Sequence, residues 1–243
     1  MENTKAVILA AGKGTRMKSD LPKVLHKIDD KTLVEYVVDA VKGAGIEKVC
    51  LVVGYKADMV KEGINCHVEF ALQEEQLGTG HAVKCAADFI GNDGETLILC
   101  GDTPLIQSGT IKKLIDFHKK NNNYVTVLSA KIDDPTGYGR IIRDENGQFI
   151  KNVEHKDATE KERETKEINS GMYIFNSREL VEGLSMLNTD NAQGEYYLPD
   201  VITVIKNKGL KADAYVMDNA NEIFGINTIE QLEEAKKILK DLR

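Results

Sequence analysis

Apolar positions along the chain follow two rhythms. Short runs rich in β-branched residues, at 6–9 (AVIL), 48–54 (KVCLVVG) and 95–102 (ETLILCGD), read as strands. Near-continuous apolarity of this kind belongs to strands covered on both faces of a parallel sheet. Between them the spacing shifts to threes and fours. In 32–45 (TLVEYVVDAVKGAG), Leu33, Val34, Val37, Val38 and Val41 share one helical face, Thr32 and Glu35 stand at capping-box spacing, and Gly43 and Gly45 end the helix. Further helices are predicted around 57–61, 80–90 and 110–120, and further strands at 67–72 and 124–132. Such alternation implies right-handed crossovers and an α/β, doubly wound, mostly parallel mixed sheet.

The rhythm changes after Asp134. Segment 137–155 (GYGRIIRDENGQFIKNVEH) predicts a hairpin turning at Glu145-Asn146-Gly147, and 156–167 (KDATEKERETKE) a charged, solvated loop. A strand at 168–175, helices near 178–187 and 198–206, and strands at 212–217 and 223–226 follow. A closing helix over 228–243 carries Leu232, Ala235, Ile238, Leu239 and Leu242 on one face. One domain with a small inserted β subregion is expected, with no linker between independent units and no internal repeat.

Composition narrows the function. Hydrophobic residues at 42% and charged residues at 29% exclude disordered and fibrous classes. A net charge of -7 argues against a nucleic-acid surface. Within 13–27, however, Lys13, Arg16, Lys18, Lys23 and Lys27 face the single acid Asp20, an island suited to a small polyanion. The four cysteines lack CxxC spacing and read as buried free thiols rather than a zinc site. No apolar run approaches the roughly 18 residues of a membrane helix, and no signal-peptide pattern precedes the first strand; a cytoplasmic protein is expected.

The island lies in 9–25 (LAAGKGTRMKSDLPKVL), after the first strand. A dinucleotide fingerprint G-x-G-x-x-G is met by Gly12 and Gly14 but not by Met17. A Walker A loop is met by Gly12, Lys18 and Ser19, and Met17 again stands where glycine is required. Neither motif holds. What remains is a glycine turn whose backbone N–H groups can approach an anion, with Arg16 able to fork onto phosphate and Lys23, stiffened by Pro22, adding a point charge. A glycine pair alone would equally describe an ordinary strand-to-helix turn with solvated lysines. Asp102, just past an apolar strand, suits either a hard-metal ligand or a turn before Pro104.

The longer pattern is more specific. LAAGKGTRM…LPKVL, QEEQLGTGHA (73–82), GDTPL (101–105), DPTGYGRI (134–141), VEHKDA (153–158), EINSG (167–171) and the segment at Asn227 together resemble the sugar-nucleotidyltransferases, in particular the uridylyltransferase domains of bacterial UDP-N-acetylglucosamine pyrophosphorylases. The resemblance runs along nearly the whole chain. It implies a Rossmann-like nucleotidyltransferase fold, with 1–133 mainly binding nucleotide and 134–227 mainly binding sugar. The implied reaction is Mg²⁺-assisted in-line attack of N-acetylglucosamine 1-phosphate on the α-phosphorus of UTP, releasing pyrophosphate. The attacking phosphate is already an anion, so no general base is needed, and the sequence offers no obvious one.

By the same resemblance Arg16, Lys23 and Asp102 are catalytic, and Asp102 and Asn227 hold the metal. Leu9, Ala10, Ala11, Gly12, Gly14, Lys23, Gln73, Gly78, Thr79, Cys100 and Gly101 bind nucleotide, Gln73 reading uracil through its carboxamide. Gly139, Glu154, Asn169 and Asn227 serve the sugar. Two positions depart from the pattern: Cys100, where some relatives carry an aromatic, and Thr228-Ile229, where many have Asn-Arg. No hexapeptide repeat is present, so the acetyltransferase β-helix of the bifunctional relatives, and the trimer it builds, are not expected in this chain. The expected partners are small molecules, neither nucleic acid nor membrane. Three readings stay open: the acetylglucosamine enzyme, a glucose-1-phosphate uridylyl- or thymidylyltransferase, and a non-catalytic sugar-nucleotide sensor.

Overall fold

The computed structural model describes residues 3–241. Its first half runs β1 (Thr4–Ala10), a short ribbon of β2 (Lys27–Ile28) and β3 (Lys31–Thr32), α1 (Leu33–Gly43), β4 (Val49–Val53), α2 (Ala57–Glu62) and β5 (Glu69–Leu72). Next come α3 (Thr79–Lys84), α4 (Ala87–Ile90), β6 (Glu95–Cys100), α5 (Ser108–Lys120) and β7 (Val125–Lys131). The second half runs β8 (Arg140–Arg143), β9 (Phe149–Val153), α6 (Glu160–Arg163), β10 (Glu167–Asn176), α7 (Ser177–Met186), α8 (Asp200–Asn207), β11 (Ala212–Val216) and α9 (Ile229–Asp241).

The main sheet has the order β11-β7-β10-β6-β1-β4-β5. β1 lies parallel to both β4 and β6, and β11 parallel to β7, while β10 runs antiparallel between β6 and β7. Every residue of β4 is buried, as expected for a strand with helices on both faces. α1 starts as the sequence predicts: Thr32 accepts from the Glu35 backbone N–H, and the Glu35 carboxylate accepts from that of Thr32. Its five predicted apolar residues are fully buried, each worth roughly 1.5–3 kcal/mol of burial. Val34, Val37, Val38 and Val41 belong to the core on one face of the sheet, Leu33 joins a smaller cluster with Met17 and α9, and α3, α4, α7 and α8 cover the other face. No helix among the described residues is long and apolar enough to cross a membrane.

Several elements differ from the sequence expectation. The helix at 80–90 divides at Cys85 and Ala86, which lets Ala82, Val83, Ala86 and Ile90 all reach one core. The solvated loop at 156–167 contains α6, started by a Thr159–Glu162 capping box. No strand forms at 223–226: Asn219 caps a 3-10 turn, Ala220–Ile223, and beyond it Ile226 N–H makes a bond to the Asp102 carbonyl (2.9 Å) in place of a ladder. The β8–β9 hairpin forms, its turn organised by the Asp144 carboxylate, which accepts from Asn146 and Gln148 N–H. It joins the main sheet where Arg140 pairs with Ile168. On α9, Leu232, Ala235 and Leu239 are buried and Ile238 packs beside them, while Leu242 lies outside the described residues.

Candidate functional site

Parallel β1 and β6 end side by side, Leu9 in register with Cys100, and a cavity of about 300 Å³ opens beyond their carboxyl ends. Open α/β sheets bind ligands at this edge. Leu9, Ala10, Ala11, Gly12, Lys23, Cys100 and Asp102 line it. Gln73, Gly78 and Thr79 also line the cavity. Gly14 and Gly101 stand behind these groups. Gly14 has φ +60°, and a Cβ there would come 2.6 Å from Lys23 Cβ; a Cβ on Gly101 would meet the Leu9 carbonyl at 3.0 Å. Gly12 differs, since a Cβ there would meet no protein atom within 4 Å.

Arg16 and Lys23 converge on Asn227. Its Oδ1 accepts from Arg16 Nη2 at 2.8 Å and from Lys23 Nζ at 3.0 Å, and Lys23 also pairs with the Asp102 carboxylate. Buried Met17 brings these partners together. It packs with Leu105, Ile226 and the inner face of α9, tying the loop that carries Arg16 to the segment that carries Asn227. The Thr228 departure has a local role: its hydroxyl accepts from Gln231 N–H, and the Gln231 carboxamide oxygen accepts from Asn227 N–H at 2.8 Å.

Two oxygens from distant chain positions, one a carboxylate, thus already face a single positive group. That donor set fits a hard divalent cation such as Mg²⁺, which takes one or two protein ligands and completes its shell with phosphate and water. Among the described residues no cluster of three or more His, Cys, Asp or Glu side chains could hold a metal, so a site rich in protein ligands is absent there.

The residues expected to serve the sugar form a second cluster. A Cβ on Gly139 would come 3.0 Å from Glu154 Oε1 and 3.4 Å from Asn169 Cβ. Burial raises the Glu154 carboxyl above its usual range, against a bond donated by Asn152 Nδ2 (3.3 Å). Asn169 sits at the β10 bulge, where its Oδ1 accepts from Gly171 N–H (2.9 Å) and its Nδ2 donates to Tyr173 Oη (2.7 Å). Cys100 joins the two clusters, its thiol 3.6 Å from the Gly171 carbonyl. Burial, with the Asp102 charge beside it, pushes that thiol up to about 12.

Four cavity residues escaped the sequence reading, the apolar Val24 and Ala82 and the polar Gln76 and Glu195. Gln76 lies in the same loop as Gln73, so its spacing was visible; Glu195 had no local signal. Glu195 arrives because segment 196–198 zips onto the glycine loop. Gly80 N–H donates to the Tyr196 carbonyl (2.8 Å), Tyr196 N–H to that of Leu77 (2.9 Å), and Leu198 N–H to Thr79 Oγ1 (3.1 Å).

A family described as Nucleotidyl transferase matches residues 5–236. The chain is 47% identical over 238 residues to the Bifunctional protein GlmU of Clostridioides difficile (strain 630), covering 98% of this chain and 52% of that protein. It is 52% identical over 242 residues to the Bifunctional protein GlmU of Bacillus cereus (strain AH187), covering 99% of this chain and 53% of the relative. It therefore spans about half the length of the curated relatives it matches. The crystal structure of a UDP-glucose pyrophosphorylase complexed with UDP-glucose superposes with a TM-score of 0.79 over 99% of this chain and 100% of that one. At 20% identity that likeness speaks for the fold alone.

Proposed function

Since the chain belongs to the nucleotidyl transferase family, we propose that it transfers a uridylyl group from UTP to N-acetylglucosamine 1-phosphate, giving UDP-N-acetylglucosamine and pyrophosphate. The observation that carries this reading is the convergence of Arg16, Lys23, Asp102 and Asn227, of which Lys23 and Asp102 line the cavity together with Gln73, Gly78 and Thr79. The half-length identity to the bifunctional relatives supports the choice of sugar.

Triphosphate lies along Leu9–Gly12, where Gly12 leaves room for close approach to backbone N–H groups. Lys23 and Arg16 exchange the Asn227 and Asp102 oxygens for phosphate oxygens and neutralise charge developing on pyrophosphate. Asp102 and Asn227 would hold Mg²⁺, which when bound supplies further charge neutralisation around the phosphates. The sugar phosphate enters from the Glu154 side. Glu154 accepts from sugar hydroxyls, and Asn169, already bonded to Gly171 and Tyr173, offers its remaining N–H. Its in-line placement opposite pyrophosphate replaces any need for a base. On this reading the protein works in cell-wall precursor synthesis in the cytoplasm.

Pyrophosphate release with UTP, dTTP, CTP and GTP, each against N-acetylglucosamine 1-phosphate and glucose 1-phosphate, tests the assignment. The UTP and N-acetylglucosamine 1-phosphate pair should give the highest kcat/KM. A clear preference for glucose 1-phosphate overturns the sugar, and binding of UDP-sugar without release from any pair overturns the enzyme.

A further inference from the structure

Gln73 follows the end of β5, and only 3% of its surface is exposed. Its Nε2 lies 3.2 Å from the Gly78 carbonyl and 3.1 Å from His81 Nδ1. A carbonyl can only accept, so the atom facing Gly78 is the amide nitrogen. The second amide hydrogen then faces His81 Nδ1, which must present its lone pair; the imidazole proton sits on Nε2. Both donors of the carboxamide are thereby occupied. Its Oε1 bonds to no described residue and remains for the cavity that Gln73 lines.

A base meeting a lone acceptor must donate. N3–H of uracil does, whereas N3 of cytosine is itself an acceptor. We propose that His81 is a positioning residue that holds the Gln73 carboxamide as an acceptor towards the base and so sets the preference for uracil over cytosine. The inference rests on the uridylyl-transfer reading above. His81 suits the task because its surroundings are braced. It lies in the first turn of α3, its carbonyl accepts from Cys85 N–H at 3.1 Å, and its ring lies 6.3 Å from that of Tyr196. Without the Nδ1 acceptor, one Gln73 N–H is left unpaired at a buried position and can turn towards the cavity, where it would pair with cytosine N3.

The test compares the protein with His81→Leu and His81→Asn, measuring kcat and KM for UTP and CTP with N-acetylglucosamine 1-phosphate and following folding by thermal melting. The carboxamide of the second variant would return an acceptor near the place of Nδ1. In His81→Leu the UTP-to-CTP ratio of kcat/KM should fall about tenfold, chiefly because CTP turnover rises, while kcat for UTP stays within about twofold. His81→Asn should keep the original ratio. An unchanged ratio in His81→Leu overturns the inference, as does a parallel loss for both nucleotides or an equal fall in His81→Asn. If the unsubstituted protein itself shows no preference for UTP, the reading beneath the inference fails, and the inference with it.

Discussion

Gly12 and Gly14 stand two residues apart and answer to different forces. Gly14 is required by the protein itself: its φ of +60° disfavours a side chain, and a Cβ would collide with Lys23. Gly12 borders open space, so only a ligand would feel a methyl group there. Gly14→Ala should therefore cost about 1–2 kcal/mol in urea unfolding and displace Lys23, lowering kcat. Gly12→Ala should leave the unfolding midpoint unchanged and raise KM for UTP. Equal effects of the two substitutions on stability would contradict this division. Met17 belongs to the same scale. Its position rules out the dinucleotide and P-loop motifs, and its burial against Leu105, Ile226 and α9 anchors the loop.

Between elements, two buried polar contacts set how the molecule responds to mutation and pH. Arg143 on β8 grips Glu167 on β10 with two bonds of 2.8 Å and donates a third to the Ala214 carbonyl of β11, while Ser129 of β7 donates to Glu167 at 2.7 Å. Glu167 is 6% exposed, so removing Arg143 leaves a buried carboxylate without its counter-charge. Arg143→Met should cost about 3 kcal/mol, and the Arg143→Met, Glu167→Leu pair much less than the sum of the single changes. A urea double-mutant cycle measures this, and additive losses would refute it.

His118 of α5 is buried beside Thr126 of β7, its Nδ1 2.9 Å from Thr126 Oγ1. Burial, with Lys119 nearby, lowers its pKa from 6.5 to about 4. Between those values the unfolded chain binds the proton and the folded chain resists it. This contribution to stability is therefore full above pH 6.5 and is lost as pH falls towards 4. From pH 7 to pH 5 it amounts to about 2 kcal/mol. His118→Asn should remove that part of the pH dependence in urea unfolding; a variant as acid-sensitive as the parent would contradict the assignment.

For the molecule as a whole, local pattern carries far in the sequence. The fully buried β4, the capped α1 and the Asp144–Gly147 turn all follow from spacing within a few residues. What local pattern omits is long-range. Nothing near 168–175 indicates that β10 enters antiparallel between β6 and β7, and nothing near 196–198 indicates that it closes over Gly78 and Thr79. Extended apolar chain near 223–226 reads as a strand, yet Ile226 N–H bonds to the Asp102 carbonyl and its side chain joins the Met17 cluster. The candidate site divides in the same way. The residues proposed to bind phosphate and metal are marked by side-chain type, and Asp102 also by its place just past the end of β6. His81 acts through Gln73 and has no such mark.

Uridylyl transfer is proposed for the Arg16, Lys23, Asp102 and Asn227 cluster. Phosphorus NMR of UTP, N-acetylglucosamine 1-phosphate and Mg²⁺ with the protein reads it most directly. UDP-N-acetylglucosamine and pyrophosphate signals should grow together, and Asp102→Ala should slow them at least about a hundredfold while keeping the parent's melting temperature within a few degrees. Undiminished turnover by Asp102→Ala, or an unchanged spectrum with the parent protein, would contradict it.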